Sequence, residues 1–209
     1  MENVLIAGAN GTTGKKITSL LKASTDFNPV AMVRKESQMK QFEDEQIDVV
    51  LGDLEKDVSH AVQNIDKVVF AAGSGGKNVV GVDQDGAKKL IDASKKVGLK
   101  KFVMLSSMGA GEPKKVANLR KYLEAKHNAD EYLKDSDLNY VIVRPGTLTN
   151  EDGTGKVRLD KKLETSGSIS RDDVAQTLVD VLHIDAVNKK TFEILEGDTP
   201  IRQAAEAIG

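Results

Sequence analysis

The seven residues Gly8-Ala9-Asn10-Gly11-Thr12-Thr13-Gly14 restrict this chain more than any other feature. They follow the apolar run Val4–Ala7 and lead into an amphipathic stretch, so the spacing G-x-x-G-x-x-G falls between a strand and a helix. Glycine there lets the backbone turn tightly, approach a bound group and seat the helix on the strand. The unpaired N–H groups and the dipole of the helix N-terminus then favour phosphate. Such an opening predicts a dinucleotide held from Gly8 to Gly14, with Asn10, Gly11, Thr12 and Thr13 in the same turn.

The rest of the chain repeats the strand–helix rhythm. The runs Val30–Val33, Asp48–Leu51, Val68–Ala72, Phe102–Leu105 and Tyr140–Val143 are rich in Val, Ile and Leu and do not alternate strictly. That pattern suits strands covered on both faces. Helical patterns occupy Thr13–Ala23, Ser37–Phe42, Asp83–Val97 and Lys115–Lys134. The alternation predicts right-handed βαβ units and an α/β, Rossmann-type, doubly wound parallel sheet with helices on both faces. After Val143 the rhythm changes. Arg144-Pro145-Gly146 breaks the chain, and a loop rich in Gly, Thr and Asp runs to about Gly155. Ser170 then caps a helix reaching His183, Thr191–Leu195 reads as a last strand and Pro200–Ile208 as a terminal helix. With no repeat and no linker, residues 1–209 read as one domain in which 147–209 form a small substrate-side lobe.

Composition narrows the chemistry. The absence of cysteine excludes disulfides, thiolate metal sites and a cysteine nucleophile. The three histidines, His60, His127 and His183, lie far apart, which argues against a metal; His127 and His183 read as helix-surface residues. A net charge of −2 and a pI near 6.0 point to neither nucleic acid nor an anionic membrane, and leave a small molecule as the expected partner. The N-terminus enters a strand pattern at once and no apolar run exceeds strand length, so a cytoplasmic setting fits. The lysine pairs at 88–89, 95–96, 100–101 and 114–115 read as solvated faces.

The choice of dinucleotide is read about twenty residues past the glycine loop, at the end of the second strand. That strand ends Val33-Arg34-Lys35, with no carboxylate to accept ribose hydroxyls. A guanidinium can bind a 2′-phosphate bidentately, so NADP is favoured over NAD; an ordinary exposed Arg-Lys pair is the plainer alternative.

At this point the residues resemble a family. Gly8, Gly11 and Gly14, Arg34, Gly52-Asp53-Leu54, Ala71-Ala72-Gly73, Leu105-Ser106-Ser107, Tyr122 with Lys126, Arg144-Pro145-Gly146 and Ile169–Ala175 occur in the order of the atypical or extended short-chain dehydrogenases/reductases. The likeness is to the small NAD(P)H-binding, NmrA-like and biliverdin-reductase-B-like members, and covers nearly the whole chain. It implies that Asp53 and Leu54 flank the adenine and that Ala71, Ala72 and Gly73 line the cofactor. It also implies that Pro145 passes near the nicotinamide, that Ser107 orients a substrate carbonyl, and that Tyr122 and Lys126 supply the proton donor and its cation. A free phenol, with a pKa of about 10, needs such a neighbour to work near neutral pH. A packing tyrosine at the rim is the alternative for Tyr122.

Tyr122, Lys126 and Asp130 also share a helical stripe with Leu119, Leu123 and Leu133. Two charges on an apolar face must pair or meet a ligand. A Lys126–Asp130 ion pair, with Lys126 shared with a cofactor ribose, satisfies both. These features favour an NADP(H)-dependent oxidoreductase acting on a small carbonyl, quinone or flavin-like acceptor. The alternatives are an NmrA-like dinucleotide-sensing protein without turnover and an NAD-dependent sugar-nucleotide epimerase or dehydratase.

Overall fold

A computed structural model describes residues 1–208. The first half contains β1 (Glu2–Ala7), α1 (Thr12–Lys22), β2 (Phe27–Val33), α2 (Lys40–Glu43), β3 (Asp48–Leu51), β4 (Lys67–Phe70), α3 (Asp85–Lys96) and β5 (Lys101–Leu105). The second contains α4 (Arg120–Lys134), β6 (Tyr140–Pro145), β7 (Thr147–Thr149), β8 (Lys156–Asp160), β9 (Ser168–Ser170), α5 (Arg171–Asp180), β10 (Lys190–Glu196), β11 (Thr199–Pro200) and α6 (Ile201–Ala207). Nine strands form one sheet in the order β11, β8, β10, β6, β5, β4, β1, β2, β3, and β7 pairs with β9 alongside. The ladders from β3 to β10 are parallel; β8 joins β10 and β11 antiparallel.

The apolar runs make sense in this sheet. Val4 and Ile6 face a layer containing Ile17 and Leu21 of α1 and Val174 and Leu178 of α5. Leu5 and Ala7 face the opposite layer, with Leu90 and Ile91 of α3 and Ala129 and Leu133 of α4. Both pleat faces are dry, so alternation has no reason to appear. Residues 147–208 do not stand apart: β8, β10 and β11 extend the main sheet, and α5 packs against α1.

Several boundaries differ from the sequence expectation. A π-helical turn at Val79–Gln84 precedes α3, so that helix begins at Asp85; the Asn78 side chain accepts the Gly81 N–H at 3.1 Å. The stretch from 115 is not helical until Arg120, because Pro113 and the extended Val116 (φ −118°) divide it into two 3-10 turns. Leu119 therefore lies outside α4 and is 48% exposed. Ser170 does cap α5, accepting the Asp173 N–H at 3.0 Å, but the helix stops at Asp180 and His183 lies beyond it. The chain does not break at Arg144-Pro145, since β6 runs through Pro145 opposite Ile194. Lys101 is no solvated lysine: it is 1% exposed and its ammonium donates to the Val181 and Ile184 carbonyls at the end of α5 (3.2 and 3.0 Å).

Candidate functional site

The glycine loop behaves as its spacing demands. Gly8 has φ +93°, and a Cβ there would lie 2.7 Å from the Ala72 backbone. A Cβ on Gly14 would collide with the Gly8 carbonyl, so α1 can dock on β1 only through a glycine. The Gly11 N–H donates to the Gly8 carbonyl at 2.9 Å and closes the turn. No side chain caps α1 at Gly11, which leaves the first-turn N–H groups of Thr12, Thr13 and Gly14 available to an anion.

Beside this turn lies a cavity of about 500 Å³ over the C-terminal ends of β1, β2, β3 and β4. Strand order reverses between β1 and β4, and such switch points are where open α/β sheets bind ligands. Gly8, Asn10, Gly11, Arg34, Asp53, Leu54, Ala71, Ala72 and Gly73 line it. Thr12, Thr13 and Gly14 form the adjoining first turn of α1, while Lys126 and Pro145 lie outside the lining. Sequence reasoning did not single out Gln38, which also lines the cavity, as do Ser74, Lys77 and Asn78. The Asn10 side chain is held by Gln41, whose Nε2 donates to Oδ1 at 2.6 Å.

Each acid of this cavity accepts one hydrogen bond from the protein. Asp53 accepts the Glu55 N–H at 3.1 Å, and Glu55 accepts from Asn78 Nδ2 at 2.7 Å. Arg34 is exposed, and among the described residues its guanidinium forms no hydrogen bond or ion pair. The end of the cavity beside β2 therefore presents an uncommitted cation.

A second constellation lies at the ends of β5 and β6 under α4. Lys126, only 4% exposed, points its ammonium at Asp83 Oδ1 (3.4 Å) and donates to the Leu105 carbonyl (3.3 Å). Its Nζ sits 5.8 Å from the centre of the half-buried Tyr122 ring. Asp83, itself 1% exposed, also accepts the Ser74 N–H at 3.0 Å. One carboxylate thus joins the cavity wall to Lys126. The expected Lys126–Asp130 pair does not form. Asp130 instead accepts Arg144 Nε at 2.9 Å and Ser106 Oγ at 2.8 Å, because β6 and β5 deliver those donors to the same point of α4. Burial pushes the Asp130 carboxyl up, against the opposing pull of Arg144.

Ser107 is half-buried, and its hydroxyl donates to the Met108 carbonyl at 3.2 Å. The Pro145 carbonyl accepts the Met108 N–H at 2.9 Å, which anchors the loop after β5. Farther along that loop Glu112 bridges Lys115 (2.6 Å) and Lys162 (2.8 Å), and hydrogen bonds from these two lysines bring its carboxyl down to about 2. His127 is half-buried, with Nδ1 2.9 Å from the Ala110 carbonyl, rather than on the open helix surface.

Known proteins agree with this architecture. The profile of the family described as NAD(P)H-binding matches residues 8–185. The uncharacterized sugar epimerase YhfK of Bacillus subtilis (strain 168) is 40% identical over 213 residues, covering 98% of this chain and 99% of that protein. The structure of a provisionally assigned NAD-dependent epimerase/dehydratase from Bacillus halodurans is 43% identical, covers 100% of both chains and superposes with a TM-score of 0.95. The anaerobillin reductase ChuY of Escherichia coli O157:H7 is 25% identical, with a TM-score of 0.82 over 94% of this chain and 98% of that one. A glycine turn without a side-chain cap, a cavity at the strand-order switch and a match across most of the sequence lead to one assignment: the chain belongs to the NAD(P)H-binding, oxidoreductase-like Rossmann family.

Proposed function

We propose that this protein is an NADP(H)-dependent oxidoreductase that reduces a small carbonyl, quinone or flavin-like acceptor. The observation that carries the reading is the exposed Arg34 guanidinium lining the cavity, with no hydrogen bond or ion pair to a carboxylate among the described residues. A 2′-phosphate satisfies that cation, whereas a bare ribose hydroxyl does not. The glycine turn and the first turn of α1 hold the pyrophosphate.

The bound nicotinamide supplies the hydride. The chain's own residues do the rest. Ser107 turns its hydroxyl from Met108 to the acceptor oxygen, Tyr122 gives that oxygen its proton, and Lys126 holds a ribose hydroxyl and the phenol in place. The reductase ChuY among the structural relatives supports reduction over binding alone.

Calorimetric titration with NADPH and NADH is the first test. NADPH binds tighter, and Arg34→Ala narrows the gap by about tenfold or more, the worth of a charge-assisted bond. Turnover against aldehydes, quinones and flavins is the second. Tyr122→Phe and Ser107→Ala each lower it by about a hundredfold while coenzyme affinity stays the same. Unchanged turnover in Tyr122→Phe removes the tyrosine from the mechanism. Binding with no oxidation across the whole panel favours a dinucleotide sensor.

The names of the two Bacillus relatives favour a second reading, sugar-nucleotide epimerisation. That chemistry keeps its dinucleotide between turnovers, so NAD carried through purification is its signature. Most of the C-terminal third is committed to β8, β10, β11, α5 and α6, which leaves short loops to cover a sugar nucleotide.

A further inference from the structure

We infer that Gln38 is a specificity-determining residue of the cofactor cavity, acting with Arg34 to recognise a ribose 2′-phosphate. The inference rests on the dinucleotide reading of this cavity and adds a residue to it. Gln38 closes the 3-10 turn Glu36–Gln38 that follows β2, is half-buried, and lines the cavity together with Arg34. Its Oε1 accepts two backbone N–H groups, from Arg34 at 3.1 Å and Lys35 at 3.0 Å, while its own N–H donates to the Lys35 carbonyl at 2.9 Å.

These bonds settle which way the amide faces. Two N–H donors can be met only by the oxygen, so the NH2 group must occupy the other position. That NH2 carries two donors and has no bonded partner among the described residues, although its neighbour Gln41 spends its own amide on Asn10 and the Gln38 carbonyl. The turn therefore places a neutral double donor beside a free guanidinium. A phosphate at this point is acceptor-only and takes both. A ribose hydroxyl pair is recognised by the opposite arrangement, a carboxylate that accepts. The capping bonds also fix the backbone of residues 34 and 35.

Gln38→Glu isolates the claim. The substitution is isosteric and keeps an oxygen for both N–H groups, but puts an anionic acceptor where the NH2 group was. Calorimetry on the purified full chain with NADPH and NADH reads the outcome, with thermal melting as the check on folding. The expected result is a fall in NADPH affinity of at least about tenfold. NADH affinity is expected to hold or rise, with an unchanged melting temperature. Gln38→Leu, neutral and of similar size, is the companion for the case in which the charged variant does not fold. It must lose more affinity for NADPH than for NADH. If either variant leaves the NADPH-to-NADH ratio where it was, or weakens both coenzymes equally, Gln38 is a turn cap and nothing more. If the wild-type protein binds neither coenzyme, the dinucleotide reading itself fails, and the inference falls with it.

Discussion

Asp83 has two tasks on one buried carboxylate. One oxygen holds the Ser74 N–H on the cavity wall and the other faces the Lys126 ammonium. Asp83→Asn keeps the first bond and leaves a buried cation without its counter-charge. Removing one member of such a pair costs about 3 kcal/mol or more, to be read from urea unfolding. If Lys126 meets the coenzyme ribose, NADPH restores part of that loss, and the coenzyme-induced rise in melting temperature is larger in the variant than in the wild type. Equal rises in the two proteins remove Lys126 from the coenzyme site. At this scale the glycine loop and Arg34 were legible because each is a local event, a spacing or a strand end. The burial of Lys126 was legible too, from its place on an apolar stripe. Its partner was not. Local spacing offered Asp130, four residues away on the same helix, whereas the fold brings Asp83 from the π-helical turn before α3 and gives Asp130 to Arg144. Gln38 was hidden for the same reason, since its importance lies in which backbone groups it caps.

The bond set of Ser106, Asp130 and Arg144 ties β5, α4 and β6 together at the end of the sheet that faces the proposed chemistry. Asp130→Ala leaves the Arg144 guanidinium buried and alone, and is expected to destabilise the protein by about 3–5 kcal/mol. Replacing both partners, as in Asp130→Leu with Arg144→Met, is expected to recover most of that loss, because an apolar pair does not need the desolvation of two charges. Chemical denaturation of the three variants checks both statements. A second element-scale expectation concerns α1: Gly14→Val forces the helix off β1, so coenzyme affinity falls below detection in calorimetry while the remaining sheet keeps its circular dichroism. The parallel strands could be read from the sequence because burial on both faces makes them continuous apolar runs. β7, β9 and β11 span three residues or fewer and have no room for a period. β8 did carry a signal, since Lys-Val-Arg-Leu-Asp alternates as a half-covered strand does. It was masked by the turn-forming residues before it.

Over the whole molecule, charge is organised at the opposite end of the sheet from the cavity. Lys67 and Lys101, paired in register on β4 and β5, donate to the Leu182, Val181 and Ile184 carbonyls that follow α5. Burial holds the Lys101 ammonium below its ordinary range. Nearby, the Lys100 ammonium, helped by the Asn3 N–H, holds the Asp66 carboxyl low. A carboxylate lowered in the folded state stabilises it above the ordinary carboxylate range, and that contribution is lost as the pH falls through the folded value. Unfolding free energy is therefore expected to drop below about pH 4, and Asp66→Asn to make that drop shallower. Urea titrations at stepped pH decide it; an identical slope in the variant removes Asp66 from the account.

The contact between α1 and α5 bears on how the protein comes into being. The coenzyme turn is encoded within the first fourteen residues, yet the helix behind it leans on a partner near the end of the chain. During synthesis that turn therefore waits for its support until α5 has left the ribosome, and a segment made early is among the later ones to mature. Nascent fragments ending at Gly146 should leave the dinucleotide in solution.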